Sequence, residues 1–277
     1  MKKLLLSTLC AAILAPSMAQ ATAISQWSLG VWTRFDNNSV LPASGITKDN
    51  VNAQYLWWGT STGSGQSGLT ITQGGTSSTP YLSSPVFTDG AAVDSVIITH
   101  YNQPITGTSL SSVDIWSTLT LTPLVPAGPA MPSQTMTYKI NFEETDNDPR
   151  PSACADGGTY GVGVNANGCA DIFVISQGAL NYSFTMTDPD DASSSHTYFV
   201  SFFEKTNGLQ PLSGAACSAA GAAPGCIGFE TMETANTPAQ FVVQITSRPV
   251  QVVPEPGTLA LMGLALTGLG LARRRKI

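Results

Sequence analysis

Histidine and basic residues are scarce in this chain, and the motifs of the common enzyme classes are missing from it. The 277 residues include two histidines and twelve lysines and arginines. There is no GxSxG nucleophile elbow, no HExxH zinc motif, no GxxxxGK[ST] phosphate loop and no GxGxxG dinucleotide motif. These absences argue against the commonest hydrolase, metalloprotease and nucleotide-dependent chemistries. A pair of carboxylates acting on a glycosidic bond is the enzymatic hypothesis that remains, and no spacing selects such a pair.

The few positive charges are concentrated at the two ends of the chain. Residues 24–250 hold six basic and seventeen acidic side chains, which gives a net charge of −11. A surface of this sign repels nucleic acid and anionic lipid headgroups, so neither is an expected partner. Divalent cations and neutral polymers are compatible with it.

Residues 1–23 have the composition of a secretory signal peptide. Lys2 and Lys3 precede an apolar run over residues 4–14, and small residues follow at Ala21 and Ala23. This order of basic, apolar and small residues predicts cleavage after Ala23. The rest of the chain is therefore expected to be exported.

The C-terminal end joins three segments in a fixed order. A spacer over residues 251–256 leads into an apolar segment over residues 257–272, and residues 273–277 form a basic end. As a helix the apolar segment is roughly 24 Å long, whereas a bilayer core is about 30 Å thick. Its four glycines weaken the helix further. We predict a short transmembrane helix that anchors the chain temporarily, with the basic end in the cytoplasm.

This C-terminal end resembles the PEP-CTERM sorting signal. The resemblance rests on the apolar segment and on six flanking residues: Pro254, Glu255, Pro256, Arg273, Arg274 and Arg275. It implies a Gram-negative bacterium whose exosortase cuts near the Pro-Glu-Pro motif and passes the protein to the cell surface or matrix, often beside exopolysaccharide in biofilms. The same signal is also described as an ice-binding-protein C-terminal motif. The mature chain, however, lacks the fixed-period repeat that a threonine-ladder ice-binding solenoid requires.

Alternation with a period of two dominates residues 24–250, and we find no amphipathic helix there. A hairpin is predicted to join residues 172–176 to residues 180–186 through a turn at Gln177 and Gly178. Such strands bury their apolar faces by packing sheet against sheet. We therefore predict one exported all-β domain over residues 24–250, an antiparallel β-sandwich of jelly-roll or immunoglobulin-like type. Further strands are predicted over 93–100, 113–122, 138–143, 196–205 and 241–245, with shorter ones over 27–35, 55–58 and 69–72.

Four cysteines lie in the mature chain, and an exported protein meets an oxidising compartment, so disulfides are expected. Three connectivities are available to four cysteines. Local pairing, Cys154 with Cys169 and Cys217 with Cys226, is favoured because both intervening segments are short loops rich in glycine and alanine.

The most distinctive internal stretch is Thr-His-Tyr-Asn-Gln-Pro over residues 99–104. On a strand, His100 and Asn102 share a face with the apolar residues that precede them, and Pro104 ends the ladder because it has no N–H donor. One interpretation is a polar pair that binds a ligand or a metal. We favour the other, a structural histidine whose ring nitrogens bind loop carbonyls. The second histidine, His196, is expected at a solvated strand start.

Thr99, His100, Asn102 and Pro104, together with the C-terminal end, resemble the THxN family of PEP-CTERM proteins. Residues 27–36, the strand end at residues 142–144, and the segment from Cys154 to Cys169 with the Ala-Asp-Ile-Phe that follows it also fit that family, so the resemblance covers most of the mature chain. It names a family but implies no biochemical activity.

Two acidic loops are candidate calcium sites, one at Asp146 and Asp148 and the other at Asp188 and Asp190. Carboxylate oxygens on loops suit Ca²⁺. Neither loop follows the EF-hand spacing, and Asp-Pro-Asp-Asp is also an ordinary turn sequence. We therefore predict no cofactor and keep calcium as the alternative.

The five tryptophans offer a second kind of site. Trp57 and Trp58 are adjacent, so on a strand one packs in the core while the other faces outward. Outward aromatic rings stack on sugars in many carbohydrate-binding proteins, whereas buried ones merely pack.

Three functional hypotheses follow. The first is a non-enzymatic exported surface or matrix protein, whose partners are exosortase during sorting, the membrane through the C-terminal helix before processing, and extracellular polysaccharide afterwards. The second is a carbohydrate-binding module of the same layer, with or without calcium. The third, and weakest, is a hydrolase that acts on the polysaccharide.

Overall fold

The computed structural model describes residues 23–145, 152–175, 181–206 and 209–250, without the side chains of residues 82–84. Strands dominate these ranges, with one 3₁₀ turn at Gly163–Asn165 and one short helix, α1, at Gly214–Ala219. The strands are β1 (Gln26–Phe35), β2 (Ile46–Lys48), β3 (Tyr55–Trp58), β4 (Thr60–Ser61), β5 (Ser67–Thr72), β6 (Tyr81–Phe87), β7 (Val93–Tyr101), β8 (Ile105–Thr106), β9 (Ser112–Val125), β10 (Gln134–Glu143), β11 (Asp171–Ile175), β12 (Tyr182–Asp188), β13 (Asp191–Glu204), β14 (Gln210–Pro211), β15 (Ile227–Thr231) and β16 (Asn236–Thr246).

Two antiparallel sheets of seven strands each contain most of these strands. Sheet 1 has the order β14-β15-β11-β10-β9-β1-β6, and sheet 2 has the order β12-β13-β16-β7-β5-β3-β2. Strands β4 and β8 form a small separate ribbon. The predicted all-β class and the antiparallel sandwich-like arrangement are confirmed.

Aromatic side chains from both sheets meet in the core between them. Trp27 of sheet 1 lies edge-on to Tyr198 of sheet 2, with ring centroids 5.0 Å apart. Tyr138 and Phe202 make a similar contact at 6.5 Å. Such edge-to-face pairs add to the stabilisation from apolar burial. The sheets therefore pack face to face, as alternating strands require.

The predicted hairpin between residues 172–176 and 180–186 is wrong. β11 pairs with β10 and β15 in sheet 1, whereas β12 pairs with β13 in sheet 2. All five residues of β11 are buried, which suits a strand with neighbours on both sides, while β12 alternates at the edge of its sheet. Gln177 and Gly178 lie outside the described residues.

The loop between the ends of β14 and β15 contains α1, which the sequence analysis missed. The helix is too short to show a helical period, but its start has a recognisable cap: the Ala216 N–H donates to Ser213 Oγ at 2.9 Å. The structure contains both disulfides of the favoured local pairing, Cys154–Cys169 and Cys217–Cys226. The loop closed by Cys217–Cys226 packs its Ala216 and Ala220 side chains against Ile172 and Val174 of β11.

Ile24 is fully buried, and its N–H donates to the Tyr198 hydroxyl at 2.7 Å. Across the described ranges, no helix is both long enough and apolar enough to cross a bilayer. Residues 1–22 and 251–277 lie outside the described residues. They include most of the predicted signal peptide, the spacer, the apolar segment 257–272 and the basic end, so the proposed division of the chain stays a prediction.

Candidate functional site

Strand β7 carries the Thr-His-x-Asn sequence and lies inside sheet 2, between β16 and β5. His100 is buried on it, and Asn102 is buried directly after its end, while Thr99 and Tyr101 are half-buried on the outer face. The strand ends before Pro104, as expected. The two inward residues and the two outward residues therefore belong to different environments.

The inward residues connect sheet 2 to sheet 1. His100 Nδ1 lies 2.8 Å from Thr231 Oγ1, and Asn102 Nδ2 donates to the Thr231 carbonyl at 2.9 Å. His100 Nε2 lies 3.6 Å from Asp171 Oδ2. Asp171 and Thr231 face each other across β11 and β15. The expectation that loop carbonyls bind the His100 ring is wrong, because its partners are a hydroxyl and a carboxyl group on strands.

Aromatic rings enclose His100. Its ring stacks on Trp58 at a centroid distance of 6.0 Å and an angle of 13°, and it meets Phe142 edge-on at 4.9 Å. Burial in this environment lowers the pKa of His100 to about 3. The imidazole is therefore neutral at pH 7.

The hydrogen-bond network assigns the tautomer of this neutral ring. The Thr231 hydroxyl donates to the Asp171 main-chain carbonyl at 3.3 Å, so it accepts a hydrogen bond from His100 Nδ1–H. His100 Nε2 is then an acceptor that faces Asp171 Oδ2. Burial and the neighbouring Glu144 and Glu233 carboxyls raise the pKa of Asp171 well above its ordinary value. At 3.6 Å, His100 Nε2 and Asp171 Oδ2 are too far apart for a hydrogen bond, and among the described residues both atoms are buried without a hydrogen-bond partner.

Glu144, which is half-buried, adjoins these buried side chains through Trp58. Trp58 Nε1–H donates to its Oε2 at 2.8 Å, and Ser67 lies 3.4 Å from its Oε1. Burial, opposed by the Trp58 hydrogen bond and reinforced by the Glu233 carboxyl, raises the pKa of Glu144 to about 8. In the part of the chain that is described, no three His, Cys, Asp or Glu side chains group as metal ligands. These polar side chains connect the sheets from the inside.

A different set of side chains faces outward on the other side of β7. Trp57, Gly68, Tyr101 and Asn236 are successive partners across β3, β5, β7 and β16. A Cβ atom on Gly68 would lie 2.1 Å from Trp57 Cε3, so the indole covers the glycine. The Trp57 and Tyr101 rings are 5.1 Å apart at 51°. The glycine thus allows two aromatic side chains to meet across an intervening strand.

A cleft of about 430 Å³ opens at this row, and we call it the aromatic cleft. This volume is within the usual range for small-ligand sites. Every residue that lines it is uncharged. Its side chains are those of Trp57, Ser64, Gln66, Tyr101, Gln103 and Asn236.

The five tryptophans divide by environment. Trp27 and Trp58 are fully buried, and Trp57 is half-buried on the outer face, as adjacent strand positions require. Trp32 and Trp116 hold the Arg34 guanidinium at 4.8 and 4.4 Å from their ring centroids on sheet 1. Trp57 is therefore the indole that faces the aromatic cleft.

The second candidate calcium loop forms the tight turn between β12 and β13, and its carboxylates have separate surroundings. Asp188 is buried with Oδ2 3.2 Å from His196 Nε2, whereas Asp190 is exposed. His196 lies in the middle of β13 rather than at its start, because β13 begins at Asp191. Asp146 and Asp148 lie outside the described residues. The prediction of no cofactor, with calcium as its alternative, therefore stays a prediction.

The sequence analysis missed Gln66, Gln103 and Asn236 in the aromatic cleft. It also missed Gly68 beneath Trp57 and Thr231 beside His100. The alternation of β3 and β7 does place Trp57 and Tyr101 at outward positions, so the sequence could have indicated an aromatic residue on the outer face of each strand. Which strands are neighbours, and hence which side chains meet, has no local signal.

These observations define a class of protein, a disulfide-bonded β-sandwich with a net charge of −11 over residues 24–250. Residues 252–276 match the family model of the PEP-CTERM protein-sorting motif. The chain is therefore an exosortase-targeted extracellular protein, of the kind exported to the cell surface of Gram-negative bacteria. A comparison with curated proteins finds no match. The family match covers only the C-terminal end, so membership of the THxN family stays a prediction.

Proposed function

We propose that this chain is a non-enzymatic surface or matrix protein that exosortase processing leaves in the extracellular polymer layer. The observation that carries the proposal is the sorting motif at residues 252–276. Two disulfides close loops of the β-sandwich, which suits an oxidising exterior. The Asp171 carboxyl is fully buried and accepts from the Thr145 N–H, and the half-buried Glu144 carboxyl accepts from the Trp58 indole, so both make contacts within the protein.

Deletion of residues 252–276 tests the proposal in the native host. We expect the truncated protein to be lost from the cell surface and matrix, as measured by antibody labelling of intact cells and by fractionation. A matched control carries a scrambled tail of the same composition, which keeps the hydrophobicity but loses the order, and it is expected to be lost as well. Mass spectrometry of the delivered wild-type protein should place its C-terminus near Pro254, Glu255 and Pro256.

Two results would contradict the proposal. One is a tailless protein that reaches the exterior in normal amount. The other is a delivered protein that still contains its basic C-terminal residues.

Binding of carbohydrate is the second candidate function, and the outward position of Trp57 beside an uncharged cleft favours it. A glycan array probed with the processed protein measures such binding directly. The hydrolase hypothesis is tested in the same samples by release of reducing sugar. We expect none, because the chain lacks the common hydrolase motifs and no spacing in it selects a catalytic pair of carboxylates.

A further inference from the structure

We propose that the aromatic cleft binds neutral hexose units of an extracellular polysaccharide. This inference rests on the proposed function, since it assigns contact with the polymer layer to one defined surface. It is carried by the shape of the cleft, by its uncharged lining and by the way its walls are held.

The floor of the cleft presents aromatic surface. The Trp57 indole lies over Gly68, where the sheet has no side chain of its own, and its neighbour is the Tyr101 ring. The C–H groups on one side of a pyranose ring carry partial positive charge and pack on the negative face of an aromatic ring. Tyr55 is exposed on the same outward side of β3, and it extends this aromatic surface beyond the cleft.

The walls supply amide groups that suit hydroxyl groups. Gln66 donates its Nε2–H to the Gly59 carbonyl at 2.8 Å, which fixes the side chain and leaves its amide oxygen as an acceptor. Within the described residues, the amide side chains of Gln103 and Asn236 make no hydrogen bond. Each amide has an NH₂ group that donates and an oxygen that accepts, and a sugar hydroxyl can both accept from the one and donate to the other.

The backbone around the cleft is held in place before any ligand binds. Ser67 Oγ donates to the Gln103 carbonyl at 3.0 Å, and Gly65 N–H donates to Ser61 Oγ at 2.8 Å. The ribbon of β4 and β8 joins the two segments that form the walls. On the opposite side of β7, His100 and Asn102 fasten the same strand to sheet 1. A preformed site loses less conformational entropy when it binds.

Charge selects the class of polymer. The lining contains no charged residue, and residues 24–250 carry a net charge of −11. An anionic polysaccharide would be repelled and would find no cation in the cleft to pair with. The favoured ligand is therefore uncharged.

The test uses the processed protein in affinity electrophoresis and titration calorimetry with three neutral polysaccharides: dextran, hydroxyethylcellulose and galactomannan. Alginate serves as the anionic probe. We expect at least one neutral polymer to bind and Trp57→Ala to weaken that binding roughly tenfold or more, a change of about 1.4 kcal/mol. Trp32→Ala is the matched control, because it removes an equally half-buried indole from the outer face of sheet 1.

A second variant guards against loss of folding, since Trp57→Ala uncovers Gly68. Gln103→Ala combined with Asn236→Ala removes two wall amides and leaves the aromatic floor intact, and it is also expected to weaken binding. Near-ultraviolet circular dichroism confirms that each variant is folded.

Three results would overturn the inference: no binding of any of the three neutral polymers, wild-type binding by folded cleft variants, or tighter binding of alginate. An equal loss of binding in Trp32→Ala would also count against it. These measurements on purified protein are independent of delivery. Failure of the tail-deletion experiment alone would therefore leave the cleft assignment standing.

Discussion

Asp171 is fully buried and Glu144 is half-buried, and both lie near a histidine that is neutral at pH 7. Burial is the main cause in all three cases: it raises the pKa of both acids and lowers that of His100. The opposite directions have opposite consequences for stability. Burial of His100 costs stability as the pH falls below 6.5, and burial of Glu144 costs stability as the pH rises above about 4.5.

We predict that Glu144→Gln flattens the pH dependence of stability between pH 6.5 and 9. In the wild type, the folded-state pKa of about 8 lies above the ordinary value of 4.5, so the folded state binds more protons in this window. The stability that the protonated Glu144 carboxyl contributes is fully present below pH 4.5 and is lost as the pH rises through 8. Glutamine is neutral throughout and keeps an acceptor for Trp58. Between pH 6.5 and pH 9, urea unfolding should show the wild type losing about 2 kcal/mol of unfolding free energy that the variant keeps.

Asp190→Asn is the matched control for that experiment, because it also converts a carboxylate to an amide but at an exposed turn. It should keep the pH profile of the wild type. An unchanged profile in Glu144→Gln would show that the Glu144 carboxyl titrates normally in the folded protein.

At the scale of elements, β3, β5 and β7 act as a unit through the row of Trp57, Gly68 and Tyr101. The row depends on register: a shift of one residue in β5 would place Leu69 opposite Trp57 and turn the core side of the strand outward. Gly68 is thus required by the Trp57 indole on the adjacent strand β3. Its own backbone has no positive φ angle that would require a glycine.

We predict that Gly68→Ala destabilises the protein by about 1–3 kcal/mol, a typical cost of overpacking. The added Cβ would lie 2.1 Å from Trp57 Cε3 and 2.7 Å from the Leu56 carbonyl oxygen, so both strand and ring must move. Urea unfolding measures the change. The control is Gly214→Ala at the start of α1, where an added Cβ meets nothing within 4 Å. Equal stability of the two variants would mean that the indole moves aside freely.

The sequence predicted well those strands whose buried face can be read from their own residues, without knowing which strands lie beside them. β9 and β10 each show their buried face in their own alternation, as at Val113, Ile115 and Tyr138. The β11–β12 hairpin failed because a short connection is compatible with pairing and equally with a crossing between sheets. The contacts of His100 have the same limitation: Thr231 lies 131 residues from His100 along the chain. Only the assembled sheets bring such partners together.

At the scale of the whole molecule, the acidic charge of the exported region raises the question of calcium. Asp188 faces His196, and Asp191 accepts hydrogen bonds from the Ser193 N–H and hydroxyl at 2.9 and 2.6 Å. These carboxylates are oriented toward separate partners instead of a shared centre.

We predict that EGTA leaves the melting temperature of the processed protein unchanged, within about 1 °C, because a cation bound only to the folded state would otherwise stabilise it. Differential scanning fluorimetry with EGTA, and again with excess CaCl₂, measures the effect. Magnesium at the same ionic strength controls for general screening of the acidic surface. A rise in melting temperature that calcium produces and EGTA reverses would restore the calcium hypothesis.

The buried backbone N–H of Ile24 has a practical consequence for the finished protein. Cleavage after Ala23, as predicted, would turn that N–H into the leading amino group, seated against the Tyr198 hydroxyl. A peptidase that cut one bond later would remove a side chain of the interior. Reporter fusions and purification handles are therefore better inserted at the exposed Asp190 turn than placed directly before Ile24, where they would crowd its buried side chain and the Tyr198 hydroxyl.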